Sequence, residues 1–113
     1  MNGVKLTRRA AKFAKQSRDK SPIIFKGLKK EMPPTQALLM MAFFNQFPYR
    51  FIPHNGFYFT PNTDEITSQM NLDLMAITTM ANNLVGLGFL DKRNAESGGV
   101  EYRIIFDRLR RYL

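Results

Sequence analysis

The feature that most constrains this sequence is an unbroken apolar run over residues 37–44, ALLMMAFF. Pro34 precedes it, and proline is tolerated in the first turn of a helix, so the pattern predicts a helix over residues 35–47. A helix that is apolar on nearly every side is buried on nearly every side. Either residues 4–25 cover part of it, or it joins two copies of the chain in a homodimer.

Composition restricts the chemistry of the chain. Its 113 residues suffice for one domain. It has no cysteine and a single histidine, which excludes disulfides, thiol nucleophiles and multi-histidine metal sites. The sequence also lacks a glycine-rich phosphate loop and a pair of acids spaced for acid–base work. We therefore expect no cofactor, no metal and no enzymatic activity, with His54 a simple turn residue beside Asn55 and Gly56.

No segment has the length of a membrane span. The apolar run falls far short of the roughly 20 residues that a span requires. The basic N-terminus is not followed closely by an apolar stretch, so it does not resemble a secretory signal. An Arg-rich presequence over residues 7–20 is the alternative interpretation. We expect no membrane partner and a cytoplasmic protein.

The net charge of +8 is unevenly distributed. Residues 1–30 carry +9, residues 31–91 carry −4 and residues 92–113 carry +3. Such basic blocks often contact a polyanion, and charge alone does not choose between DNA and RNA. The pattern predicts a basic N-terminal arm over residues 1–32 and a folded domain over residues 33–113. The alternative is a solvated extension without a partner.

Hydrophobic period and turn residues predict the other elements. In chain order they are an anchoring strand at 23–25, a strand at 57–60, a helix at 63–70 capped by Asn62, a helix from 74 to about 87 capped by Asp73, strands at 88–93 and 100–106 joined by a connector at 94–99, and a short helical tail at 107–113.

Two motifs lie within these elements. The turn at residues 70–73, MNLD, is similar to an apolar–Gly–apolar–Ser turn, with Asn71 in the glycine position. The segment at residues 84–90, LVGLGFL, is similar to an L-x-x-x-G-L-I helix exit. With these motifs, residues 34–106 resemble the winged helix-turn-helix superfamily, including phage and plasmid replication initiators and small transcription repressors. The resemblance implies an α+β fold of three helices and a small antiparallel β-wing sheet, here with a basic N-terminal extension.

The resemblance also implies a function. In this superfamily the second motif helix lies in the major groove of double-stranded DNA. Helical spacing from the buried positions Ile77, Ala81 and Leu84 turns the other side of helix 74–87 outward. The protein would be a transcription regulator or a replication-initiation accessory. The candidate nucleic-acid-binding residues are Arg8, Arg9, Lys12, Lys15, Met75, Thr78, Thr79, Asn82, Asn83, Lys92, Arg93 and Arg103.

One departure from the superfamily supports a second hypothesis. Helix 74–87 carries no Lys or Arg, and Asp73 lies at its N-terminus. Leu74 and Met75 give the helix an apolar side, which also suits a protein partner. Under this hypothesis the domain is an interaction module within a larger nucleoprotein assembly. The basic arm then holds nucleic acid without reading its sequence.

Overall fold

The computed structural model describes residues 19–113, an α+β fold with five helices and a two-stranded antiparallel sheet within that range. Residues 19–28, at the start of this range, are helical and are called α1. The later elements are α2 at Pro34–Arg50, a 3-10 turn at Pro53–Asn55, α3 at Thr63–Met70, α4 at Leu74–Gly86, β1 at Leu90–Asn94, β2 at Val100–Ile104 and α5 at Phe106–Arg110.

The apolar helix predicted over residues 35–47 is confirmed as the centre of the core, and it extends to Arg50. Its aromatic side chains pack against rings from the neighbouring segments. The Phe43 ring lies 6.0 Å from that of Phe59 and 5.1 Å from that of Tyr102, centroid to centroid. Phe47 makes a T-shaped contact with Phe59 at 5.8 Å. These contacts join α2 to the chain before α3 and to β2, and aromatic pairs of this geometry stabilise a core beyond their area alone.

The strand predicted at residues 23–25 is wrong, because these residues belong to α1. Ile24 and Leu28 are 1% and 0% exposed and lie in the same hydrophobic cluster as α2. Their i, i+4 spacing places both side chains on one face of a helix. Met32, the last residue of the predicted arm, belongs to the same buried cluster, so the core includes residues that precede the domain predicted over residues 33–113.

The C-terminal residues close over α1. The ring of Tyr112 packs so tightly on Gly27 that a Cβ added at Gly27 would overlap it. Arg111 Nη1 lies 3.3 Å from Glu31 Oε1, and Leu109 of α5 is buried. The first and last described elements are therefore packed together.

The strand predicted at residues 57–60 is also wrong, since only one residue of it pairs. Phe59 forms an isolated antiparallel bridge with Tyr102, with both N–H···O distances at 2.9 Å. Phe57 has a φ of 65°, which no strand residue adopts. Pro61, two residues beyond the bridge, has no N–H to donate.

The predicted hairpin is confirmed with shorter strands. β1 pairs with β2 in a register that sets Leu90 opposite Ile104 and Lys92 opposite Tyr102. The succession of α2, α3, α4 and hairpin is compatible with a winged-helix-like fold. Across residues 19–113, every helix is too short or too polar to cross a membrane.

Burial of α1 leads to a stability prediction. We expect Leu28→Ala to lower the free energy of unfolding by about 2–5 kcal/mol, because it leaves a cavity in the core. Ile23→Ala is the matched control, since Ile23 is 54% exposed on the same helix and its loss falls within about 0.5 kcal/mol. Urea unfolding of the full chain measures both. If both variants left the free energy of unfolding nearly unchanged, that result would contradict the packing of α1 into the core.

Candidate nucleic-acid interface

Local hydrogen bonds fix the angle between α3 and α4. Asn62 Oδ1 accepts from the Glu65 N–H at 3.1 Å and caps α3, as predicted. Asn71 ends α3 in the left-handed region, with φ 54° and ψ 45°. Asp73 Oδ1 accepts from the Ala76 N–H at 2.8 Å and caps α4. Asparagine tolerates the left-handed conformation because its side chain bonds locally, so this turn needs no glycine.

The faces of α4 divide as the sequence predicts. Ile77, Ala81 and Leu84 are buried, and α4 packs on α2. The outward residues form a surface that we call the α4 stripe. They are Leu74, Met75, Thr78, Thr79, Asn82 and Asn83, all exposed.

Several polar groups of the α4 stripe already have partners. Thr79 Oγ1 donates to the Met75 carbonyl at 2.9 Å. Asn83 Nδ2 lies 3.4 Å from Oε1 of Gln36, a buried residue of α2. Asn82 Oδ1 accepts a hydrogen bond at 2.8 Å from Nζ of Lys92, which is a residue of β1. The last contact joins a candidate base-reading residue to a candidate phosphate-binding residue.

The end of α4 fixes where the hairpin starts. The Phe89 N–H donates to the Leu84 carbonyl and the Gly88 N–H to the Val85 carbonyl, both at 3.0 Å. With Gly88 at φ 84°, this is a Schellman cap. Arg108 of α5 adds a bond to the Leu87 carbonyl at 3.2 Å. Phe89 is then buried, and β1 leaves in one fixed direction.

The hairpin separates the three cations predicted to act together. Residues directly opposite one another in an antiparallel pair share a face. Lys92 therefore shares the face of Tyr102, next to α4, whereas Arg93 and Arg103 lie on the opposite face. Their contact with nucleic acid stays a prediction, but these arginines do not lie beside Lys92.

Both arginines are held by acids across the hairpin. Arg93 Nε lies 3.1 Å from Glu101 Oε1, and Arg93 Nη2 donates to the Asn55 carbonyl at 3.0 Å. Arg103 Nε donates to Asp91 Oδ2 at 3.0 Å. This hydrogen bond raises the pKa of the Arg103 guanidinium above its ordinary value. We call these four charged residues the paired face of the hairpin.

An aromatic ring completes the paired face. The guanidinium carbon of Arg93 lies 3.7 Å from the ring centroid of Tyr58, and that of Arg103 lies 5.0 Å away. Both distances suit cation–π attraction. Sequence reasoning missed Asn55, Tyr58 and Gln36 as supporting residues. The signal available for the ion pairs was in the sequence of the two strands. Charged residues of opposite sign occupy alternate positions in each strand, so that residue 91 can pair with 103 and residue 93 with 101.

The remaining candidate residues belong to the predicted N-terminal arm. Arg8, Arg9, Lys12 and Lys15 lie outside the described residues, so their role stays a prediction. Lys26, Lys30 and Arg111 line a groove of about 520 Å³ between α1 and the C-terminal residues. Among residues 19–113, no three His, Asp or Glu side chains cluster in a way that could hold a metal ion.

Comparison with known proteins gives no match: no protein-family model, no curated protein and no solved structure matches this chain.

The paired face leads to a stability prediction. The Glu101 side chain is 9% exposed, whereas that of Asp91 is 38% exposed. Arg93→Ala removes the charged partner of a buried carboxylate and leaves it only the 3.5 Å contact with Asn55 Nδ2, so we expect it to lower the free energy of unfolding by about 1–3 kcal/mol. Arg103→Ala, the matched control, frees a half-exposed acid and costs about 1 kcal/mol or less. Urea unfolding at neutral pH measures the difference. Equal losses would contradict the asymmetry between the two pairs.

Proposed function

We propose that the protein binds double-stranded DNA as a winged helix-turn-helix protein, with the α4 stripe in the major groove and the β1–β2 hairpin as the wing. The observation that carries this proposal is the 2.8 Å contact between Asn82 of α4 and Lys92 of β1. It sets an amide suited to a base edge beside a cation suited to a phosphate. The major groove is wide enough to admit a helix such as α4.

The charge of the chain determines where affinity arises. α4 carries no Lys or Arg, and its cap Asp73 repels phosphate. The two wing arginines are paired with acids. Affinity therefore depends on the basic N-terminal segment, with ten Lys and Arg in residues 1–30, and selectivity depends on the α4 stripe. Such a protein would act at DNA as a transcription regulator or a replication-initiation accessory.

The contribution of the basic segment is measurable by salt dependence. We expect replacing Arg8, Arg9, Lys12 and Lys15 together with Gln to make the slope of log K against log salt shallower by about 3–4, because each phosphate contact contributes about −0.9. Fluorescence anisotropy with a duplex of random sequence measures the slope. The charge-conserving variant Arg8→Lys with Arg9→Lys is the control and keeps the original slope. An unchanged slope in the quadruple variant would assign the phosphate contacts to other residues.

Selectivity is measured separately. The double variant Thr79→Ala with Asn82→Ala should lose about 1–3 kcal/mol per base contact on a duplex enriched from a random pool, and much less on random duplex. Its thermal stability should change little, because both residues are exposed. Asn45→Ala, which removes an exposed amide from α2, is the matched control and should keep full selectivity.

A second candidate function is favoured by the exposure of Leu74 and Met75, at 57% and 79%. In it, the domain is a protein-interaction module of a nucleoprotein assembly, and the basic segment holds nucleic acid without reading sequence. The two candidate functions predict different results for the double variant. Under the second, Thr79→Ala with Asn82→Ala leaves DNA binding unaltered, whereas Met75→Glu abolishes binding of the protein partner.

A further inference from the structure

The geometry points to the thymine methyl group as the feature that the N-terminal half of the α4 stripe recognises, so the preferred sites are A·T-containing. This inference rests on the proposed DNA binding and names the base chemistry that the stripe accepts. Four features of the described residues carry it: the apolar first turn of α4, the internal bond of Thr79, the bond between Asn82 and Lys92, and the pairing of both wing arginines.

The first turn of α4 presents apolar atoms where a groove-binding helix meets base edges. Met75 is 79% exposed and Leu74 is 57% exposed, in the turn that recognition helices direct at the bases. Among the base-pair edges in the major groove, the C5 methyl of thymine is the apolar group. Met75 is flexible and polarisable, so it adapts to such a methyl group without a fixed geometry.

Thr79 extends this apolar surface by one turn. Its hydroxyl donates its proton to the Met75 carbonyl at 2.9 Å. A hydroxyl has one proton, so in this state Thr79 has none to donate to a base. The hydroxyl oxygen can still accept a hydrogen bond, and the γ-methyl remains for apolar contact. Met75 and Thr79 stand at i and i+4, so the two side chains are neighbours on one side of the helix.

The same stripe continues into a polar pair suited to adenine. The Lys92 ammonium has only donors, so the Asn82 atom facing it at 2.8 Å is the amide oxygen. That oxygen has a second lone pair, and the amide nitrogen has two protons. Asn82 therefore keeps an acceptor for adenine N6 and a donor for adenine N7. This continuity, with Lys92 at its end, favours DNA over a protein as the occupant of the apolar turn.

Neither wing arginine is available to guanine at this surface. The O6 and N7 atoms of guanine are read most often by Arg or Lys. Arg93 is held by buried Glu101 and the Asn55 carbonyl, and Arg103 by Asp91. Both lie on the face of the hairpin away from Lys92. Lys92 is thus the cation that the hairpin brings to the α4 stripe; one of its three N–H donors is bonded to Asn82, and the proposed function assigns the other two to phosphate.

Replacing thymine with deoxyuridine tests the inference, because it removes the methyl and nothing else from the groove. The full chain is titrated by fluorescence anisotropy on a duplex enriched from a random pool, with thymines replaced one at a time. At a contacted thymine we expect affinity to fall about fourfold, the ratio that corresponds to about 0.8 kcal/mol for one buried methyl group. Met75→Ala should bring the thymine-to-uracil ratio close to one.

A matched control separates this contact from general effects. Leu38→Ala removes an exposed apolar side chain from α2 and should leave the thymine-to-uracil ratio unchanged. Circular dichroism of both variants checks that the fold persists.

The outcomes distinguish this inference from the proposed function. Sequence-selective binding with no uracil effect, or enrichment of G·C-rich sites, overturns the inference and leaves DNA binding by α4 in place. Absence of any enriched sequence overturns both. A Met75→Glu variant that keeps its DNA selectivity but loses a protein partner assigns the apolar turn to that partner and also overturns the inference.

Discussion

The structure depends on the burial of α2. Most of its apolar residues are buried, while Leu38 and Tyr49 leave one side of the helix exposed, so the neighbouring elements cover the remaining sides. Ile24 and Leu28 of α1, Phe59 of the bridge and Tyr102 of β2 all belong to the same hydrophobic cluster. Burying one phenylalanine side chain contributes about 1.5–3 kcal/mol, which makes this arrangement the main source of stability. The position of α4 follows, since α4 packs directly on α2.

Features decided within a few residues could be predicted from the sequence. The caps Asn62 and Asp73 and the left-handed Asn71 depend on short-range hydrogen bonds and backbone preference, so their sequence context was enough. The exposed face of α4 followed from helical period once the resemblance had indicated Ile77, Ala81 and Leu84 as the buried positions. Features that depend on contacts with residues far away in the sequence could not be predicted in this way. The segment at residues 23–25 has the apolar character of a strand, yet packing on α2 makes it helical.

The same division applies to the candidate site. The outward residues of the α4 stripe could be predicted, because they depend only on which side of α4 is buried. The state of the wing cations could not be predicted from charge counts. Arg93 and Arg103 add to the net charge of the sequence, but each has an acid directly opposite in the hairpin register. Formal charge therefore overstates what this hairpin offers to a polyanion, and Tyr58 further restrains both guanidinium groups.

The paired face also divides the hairpin into a fixed base and an independent tip. The base of the hairpin holds the ion pairs and the Tyr58 contact, at residues 91, 93, 101 and 103. The tip at residues 95–99 is closed by its own hydrogen bond, in which the Ala95 N–H donates to the Gly99 carbonyl at 2.8 Å. Gly98 and Gly99 have open space around them. Exposed loop tips of this kind tolerate inserted residues. The tip can therefore change in length during evolution, or receive an added peptide, without disturbing the register that orients Lys92.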